Sequence, residues 1–286
     1  STAGTGLALL SFLGAGYTHK EGPSQDEVGD GLYHLKQTAF QKSTGADLQD
    51  MSTMYAHGLA TLALVEAYAM TRDPSLKPLT QEAIRYIENA QHPGGGWRYM
   101  PGQEGDSSVT GWLLMALHSA RSNAMLDVDK NVFYKAEMFF EHLASDGGAL
   151  YGYQDDAPRH STTAIGLLSM MYAGKTPRRP EIARGLSHIE SWGPDAYDIY
   201  YDYYATLTLL HAGGSSFGRW YPVISEHLLA TQATRGHESG SWFFEDQEQD
   251  DIPDARKGGR LYMTTMSTMI LEAPYRYLPL YQDESM

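Results

Sequence analysis

Apolar residues along this chain fall into two kinds of segment. The first kind is small and apolar almost throughout, with a Gly, Ala or Ser near its start and Leu- or Met-rich turns after it. Six such segments begin near Gly6, Gly58, Gly111, Gly166, Ala205 and Ser267, at intervals of 39–62 residues. Lacking a charged stripe, they read as helices buried on all sides. The second kind lies between them. Asp26–Phe40, Leu79–Gln91, Val132–Ala144, Glu181–Trp192 and Tyr221–Gln232 carry apolar positions at helical spacing beside a charged stripe. In Leu79–Gln91, for instance, Ile84, Ile87 and Ala90 share one face while Glu82, Arg85 and Glu88 point away, the pattern of an amphipathic surface helix. Pro78, Pro180 and Pro222 sit at or near the predicted helix starts, where the missing N–H costs nothing. The loops GGGWRY, GGALYGY and SGSWFF read as short hairpins, and no larger sheet is predicted.

Buried segments alternating with half-buried ones, at the length of a helical hairpin per repeat, have one economical packing. The predicted fold is all-α: an α/α toroid of six inner helices in a closed ring, wrapped by outer helices. Inner helices then run parallel to one another and antiparallel to the outer ones. An open α-solenoid would make all helices similarly amphipathic, and the asymmetry favours closure. The first buried segment opens almost at residue 1, so six inner segments meet five outer partners. The expectation is a single toroid domain over residues 1–286, the C-terminal part of a longer protein whose first outer helix lies upstream. The rival expectation is that the tail Tyr275–Met286 fills the gap, although Pro274 and Pro279 prevent a long regular helix there.

Charge and composition then remove whole classes of partner. The net charge of −14 argues against nucleic acid and anionic membranes, which require a local Lys/Arg excess. No apolar run approaches the ~20 residues that span a bilayer. No secretory signal opens the segment, and its location stays open. Cys is absent, which excludes disulfides, thiol nucleophiles and Cys-ligated zinc. No metal and no cofactor is assigned.

Between two of these helices, Gln91-His92-Pro93-Gly94-Gly95-Gly96-Trp97 fits Q-x-x-x-G-x-W and follows Tyr86-Ile87. It resembles the QW repeat of the squalene cyclase and protein prenyltransferase superfamily. Degenerate copies run through Phe139-Phe140 to Gly148 and Leu150, through Arg184-Gly185 to Gly193, and from Leu228 through Gln232 to Gly240-Ser241-Trp242. In physical terms Gln ends an outer helix, Gly permits a left-handed turn and Trp plugs the space beside the next inner helix. The run GGGWRYMPGQEGDSSVTGW is similar to a bacterial branch in which the domain forms the tail of a longer protein. The superfamily's chemistry does not carry over. Its cyclases use an Asp-x-Asp-Asp acid where this chain reads Gly105-Asp106-Ser107-Ser108, and its prenyltransferases hold zinc with a Cys.

In a toroid the cavity mouth at the inner-helix N-termini is the natural site, and the helix dipoles favour anions there. Asp106, His160, Tyr201 and Asp202 enter that face and are the candidate catalytic residues. His57, Trp112, Tyr204, Trp242 and Tyr262 are the candidate substrate-binding residues, with Tyr55, Arg98 and Arg159 nearby. Each has a plainer role: Asp106 as a helix cap, His57 as a satisfied core histidine, His160 as a partner of its helix start, and the tyrosines of YDIYYDYY as packing. Asp127 and Asp129 read as caps, and the acidic run Glu245–Asp254 as a solvated loop with a weak Ca²⁺ pattern at Glu245, Asp246, Asp250 and Asp251.

Three functions follow. A squalene cyclase-like repeat domain binding an apolar, isoprenoid-type ligand predicts a dry central cavity. A carbohydrate-active toroid, lyase or hydrolase, predicts an open polar cleft with aromatic platforms for a glycan. A non-catalytic interaction domain, docked to the rest of its own chain, predicts an interior filled by its own side chains. Whether the chain is an enzyme is left open by sequence.

Overall fold

The computed structural model describes residues 1–122, 126–195, 197–244, 253–276 and 280, and for 253–257 only the backbone. Among them run eleven α-helices. The inner set is α1 (Thr2–Gly14), α3 (Met54–Thr71), α5 (Ser107–Ser122), α7 (His160–Tyr172), α9 (Ile199–Ala212) and α11 (Pro253–Arg276). The outer set is α2 (Gln25–Thr38), α4 (Lys77–Asn89), α6 (Lys130–His142), α8 (Pro180–Trp192) and α10 (Ser215–Thr231). Each inner helix packs on the next, and α11 returns to α1, so the ring is closed. The α/α toroid is therefore the architecture of this chain. No helix among the described residues is long and apolar enough to cross a membrane.

The glycine near the start of each early inner helix has a packing cause. A Cβ at Gly6 would stand 2.8 Å from the Leu59 backbone, and one at Gly111 would stand 2.6 Å from Ile165. Only glycine lets neighbouring inner helices approach this closely. Residues of α3, α5, α7 and α9 are buried nearly all round, whereas the outer helices bury one stripe, such as Ala83, Ile84 and Ile87 of α4.

Two small hairpins decorate the helical ring, β1 (Phe40–Lys42) with β2 (Gly45–Asp47) and β3 (Ala144–Ser145) with β4 (Leu150–Tyr151). The second realises the GGALYGY loop. GGGWRY makes only an isolated bridge between Trp97 and Asp106, and SGSWFF forms no strand. One proline expectation needs correction. Pro222 lies inside α10, which starts at Ser215, and the helix continues because Gly218, whose carbonyl the proline frees, is solvent-exposed. Pro274 lies two residues before the end of α11 at Arg276, as a residue that does not support a long continuation. The four residues of the Ca²⁺-like pattern lie outside the described residues, as does the tail beyond Arg276 except Leu280, and of the acidic run only the backbone of Pro253 and Asp254 is described.

The loops between outer and inner helices repeat one hydrogen-bonding device. The Trp97 indole donates to the Ile87 carbonyl at 2.8 Å, capping the end of α4, and its backbone N–H donates to Thr110 Oγ1 on α5 at 2.9 Å. Trp242 does the same with the Leu228 carbonyl at 2.7 Å and Thr264 Oγ1 at 3.1 Å. Tyr151 takes this position in the copy where the sequence placed Leu150, with its N–H on Thr163 Oγ1 at 3.1 Å. The Gln91 amide donates to the Gly95 and Val132 carbonyls, and Gln232 donates to the Gly240 carbonyl. Gly95, Gly148 and Gly240 all have positive φ.

Candidate functional site

The inner helices are parallel, so their N-termini share one mouth. The loops feeding it are tied to the helix starts. The Tyr99 carbonyl accepts the Met54 N–H at the start of α3, and the Tyr153 carbonyl accepts the Ser107 N–H at the start of α5. These bonds consume donors that an anion would otherwise meet. They also aim the Tyr99 and Tyr153 side chains over the ring, and the two hydroxyls meet at 3.2 Å.

Asp106 sits beneath them and is fully buried. One carboxylate oxygen caps α5 by accepting the Val109 N–H at 2.8 Å. The other, Oδ2, lies 3.7 Å from Arg98 Nε and makes no hydrogen bond of good geometry. Burial pushes the carboxyl up to about 6, against the lowering pull of the Val109 N–H, Tyr153 and Arg98. The Arg98 guanidinium lies over the Tyr99 ring at 5.2 Å, and that ring leans on Tyr55 of α3 with centroids 6.1 Å apart.

From across the ring, α9 contributes Tyr200 and Tyr204, one helical turn apart. Burial raises both phenols, whose buried hydroxyls stand close to one another, and that of Tyr200 close to Ser108, without a hydrogen bond of good geometry. The Tyr55 phenol is raised by burial first, then by the proximity of Tyr200, Asp106 and Tyr153. Asp106, Arg98, Tyr55, Tyr99, Tyr153, Tyr200 and Tyr204 thus form one polar, aromatic mouth. Below it the ring is filled: Trp112 stacks on Tyr203 at 5.4 Å, and the Tyr203 hydroxyl reaches Met115 Sδ at 3.5 Å.

The other sequence candidates lie elsewhere. Tyr201 points away from the mouth, toward α8 and α10. Its hydroxyl donates to the Gly193 carbonyl at 3.2 Å and its ring packs edge-on against Trp220 of α10. His160 is exposed and stacks on Trp192 at 4.1 Å, with Tyr201 5.5 Å away. Asp202 is buried, accepts the Asp195 N–H at 2.9 Å and is raised by burial. His160, Tyr201 and Asp202 therefore form a group between α7, α8 and α10, on the other side of α9 from Asp106. His57 spends both ring nitrogens inside the fold, on the Leu48 N–H and the Ala83 carbonyl, and burial lowers it to about 4. Trp112 and Tyr204 line the floor of the Asp106 mouth, where their rings meet edge-on at 5.7 Å. Trp242 is a loop plug, and Tyr262 is half-buried against the core.

Tyr99 and Tyr153 are absent from the sequence-derived candidates, yet a signal exists. Each follows a plug residue by two positions, in Trp97-Arg98-Tyr99 and Tyr151-Gly152-Tyr153, and Trp242-Phe243-Phe244 repeats the spacing. In an extended segment, residues two apart point the same way. Among the described residues, no group of three or more His, Asp or Glu side chains is placed to hold a metal ion.

No protein-family model matches the chain, and no curated protein matches its sequence. Solved structures do resemble it. An inactive variant of the α-1,6-mannanase GH76A of Salegentibacter sp. HEL1_6, in complex with α-1,6-mannotriose, is 9% identical, with TM-score 0.63 over 96% of this chain and 88% of that one. A GH76 α-mannanase of Bacteroides thetaiotaomicron is 10% identical, with TM-score 0.63 over 96% of this chain and 86% of that one. Cellobiose 2-epimerase from Bacillus thermoamylovorans is 10% identical, with TM-score 0.67 over 96% and 88%. At such identity the likeness is one of fold: this chain is an α/α toroid of the kind these proteins share.

Proposed function

We propose that this chain is a carbohydrate-active α/α toroid that takes a glycan at the inner-helix N-terminal mouth, with Asp106 as its proton-transferring group. The observation that carries the reading is a concentration of unanswered polar atoms. Asp106 Oδ2, Arg98 Nε, Ser107 Oγ and the Tyr200 and Tyr204 hydroxyls are all buried there without a hydrogen bond of good geometry. Buried polar groups are otherwise almost always partnered, so such a cluster marks where a hydroxyl-rich ligand completes the bonding. Tyr55, Tyr99 and Tyr153 offer aromatic faces for sugar rings, and a carboxyl near 6 is suited to general acid or base work at mildly acidic pH.

The apolar, isoprenoid-type reading drawn from the QW-like motif has less support. Its dry central cavity would occupy the space that Trp112, Tyr203 and Met115 fill. The solved structures of similar fold are named as mannanases and as a sugar epimerase, which favours a glycan. The same filled interior also suits a non-catalytic domain, so the test must read product as well as binding. Incubation with α-1,6-manno-oligosaccharides and with cello-oligosaccharides, followed by product analysis, should show turnover by the wild type and none by Asp106→Asn. Absence of binding and product with both series, for wild-type protein, would overturn the reading.

A further inference from the structure

Away from the mouth, a cavity of about 340 Å³ opens between α6, α7 and α8. That volume is within the range of small-molecule sites. Its floor is Tyr151, Met170 and Ile182, and its polar walls are Glu141, Lys175 and Glu181. Tyr151 is only 1% exposed, with its ring packed on Gly166 and edge-on to Phe140. Its hydroxyl reaches toward the cavity, where Glu141 and Glu181 help burial hold the phenol above its ordinary value. No side chain or carbonyl among the described residues hydrogen-bonds that hydroxyl.

The charges around the cavity do not balance. Lys175 pairs with Glu137 at 2.5 Å and Glu141 at 3.5 Å, and Arg179 stands 3.6 Å from Glu181. Of the charges that line the cavity itself, two are carboxylates, Glu141 and Glu181, and one is a cation, Lys175. Arg184, close by, is already engaged with Asp146. The free bonding capacity is therefore acceptor-rich and one positive charge short. A neutral polyol would satisfy the acceptors but not the charge, and a bare metal ion would waste the apolar floor.

We propose that this cavity binds a small organic cation bearing hydroxyl groups, of the size and chemistry of a protonated amino sugar. Its ammonium lies between Glu141 and Glu181, its hydroxyls meet the Tyr151 hydroxyl, and its ring covers Met170 and Ile182. This site is independent of the proposed glycan mouth.

Calorimetric titration of the whole chain at mildly acidic pH, with glucosamine against glucose as the neutral isostere, tests it. Saturable glucosamine binding, with glucose about tenfold weaker or worse, is expected. Glu181→Gln should weaken glucosamine by a similar factor. Tyr151→Phe, which deletes one oxygen and leaves the packing, should weaken it several-fold, and Asp106→Asn should leave it unchanged. Equal affinity for glucose, no saturable glucosamine binding, or loss of binding in Asp106→Asn would overturn the assignment.

Discussion

Trp97 and Thr110 exchange two hydrogen bonds: the Trp97 N–H donates to Thr110 Oγ1 at 2.9 Å, and that hydroxyl reaches back to the Trp97 carbonyl at 3.2 Å. Both residues are buried. Thr110→Val keeps the shape and removes the partner, leaving the buried Trp97 N–H unanswered while the Trp97 carbonyl keeps the Asp106 N–H. It should cost about 1–3 kcal/mol in denaturant unfolding. The equivalent change Thr163→Val, facing Tyr151, should cost a similar amount, because the same device recurs there.

Gly95 and Gly102 make a controlled pair. Both have positive φ, +95° and +69°. A Cβ at Gly95 would stand 2.0 Å from the Lys135 carbonyl oxygen, whereas one at Gly102 would meet nothing within 4 Å. Gly102→Ala should cost about 1 kcal/mol, for backbone strain alone. Gly95→Ala should cost several times as much, since backbone must move. Equal losses in Tm would contradict the close approach of this loop to α6.

The fold was legible in the sequence because burial leaves a pattern. A helix with no polar stripe, such as α3, and one with a stripe, such as α4, announce their layers without any knowledge of partners. Even the close approach of neighbouring inner helices left a trace in Gly6 and Gly111. The site was legible only in part. Asp106 stands out as an acid before an apolar helix, but Tyr55, Tyr99, Tyr153 and Tyr200 come from four separate segments and meet only when the ring closes. The helical run YDIYYDYY hides which tyrosine faces which way. Tyr200 and Tyr204 turn to the mouth and Tyr201 turns outward, so grouping Tyr201 with Asp106 needed an orientation that sequence does not supply. His57 shows the converse, a histidine in a buried helix whose two nitrogens serve the hairpin and α4.

His57 should behave as a structural residue. With both nitrogens bonded and the side chain fully buried, His57→Ala should destabilise the protein by about 2–4 kcal/mol. Its value of about 4 lies below the ordinary 6.5, so the unfolded chain takes up the proton first as pH falls. This group's contribution to stability is therefore complete above 6.5 and lost as pH drops toward 4. Glycan binding, once the variant is folded, should not change.

Asp106 carries the opposite sign. Its folded value of about 6 lies above the ordinary 3.8, so the folded state holds a proton that the unfolded state has released. The penalty is absent below about 4, grows as pH rises, and is complete above about 6. Asp106→Asn keeps a capping oxygen for α5 and removes the charge. It should raise stability at pH 7 relative to wild type, by roughly 3 kcal/mol at most, with little effect at pH 4. Glu272, raised by burial to about 7, gives the same sign over a higher window and persists in the variant. Unfolding of both proteins across pH 4–8 checks this, and parallel curves would contradict a buried, protonatable Asp106.

The most direct test of the glycan mouth is a crystal structure of the protein soaked separately in α-1,6-mannotriose and in cellobiose. The account predicts a sugar ring over Asp106, bounded by Tyr55, Tyr99 and Tyr153, with a hydroxyl or ring oxygen bonded to Oδ2. Sugar found only elsewhere on the molecule, or an unoccupied mouth with both sugars at saturating concentration, would contradict it.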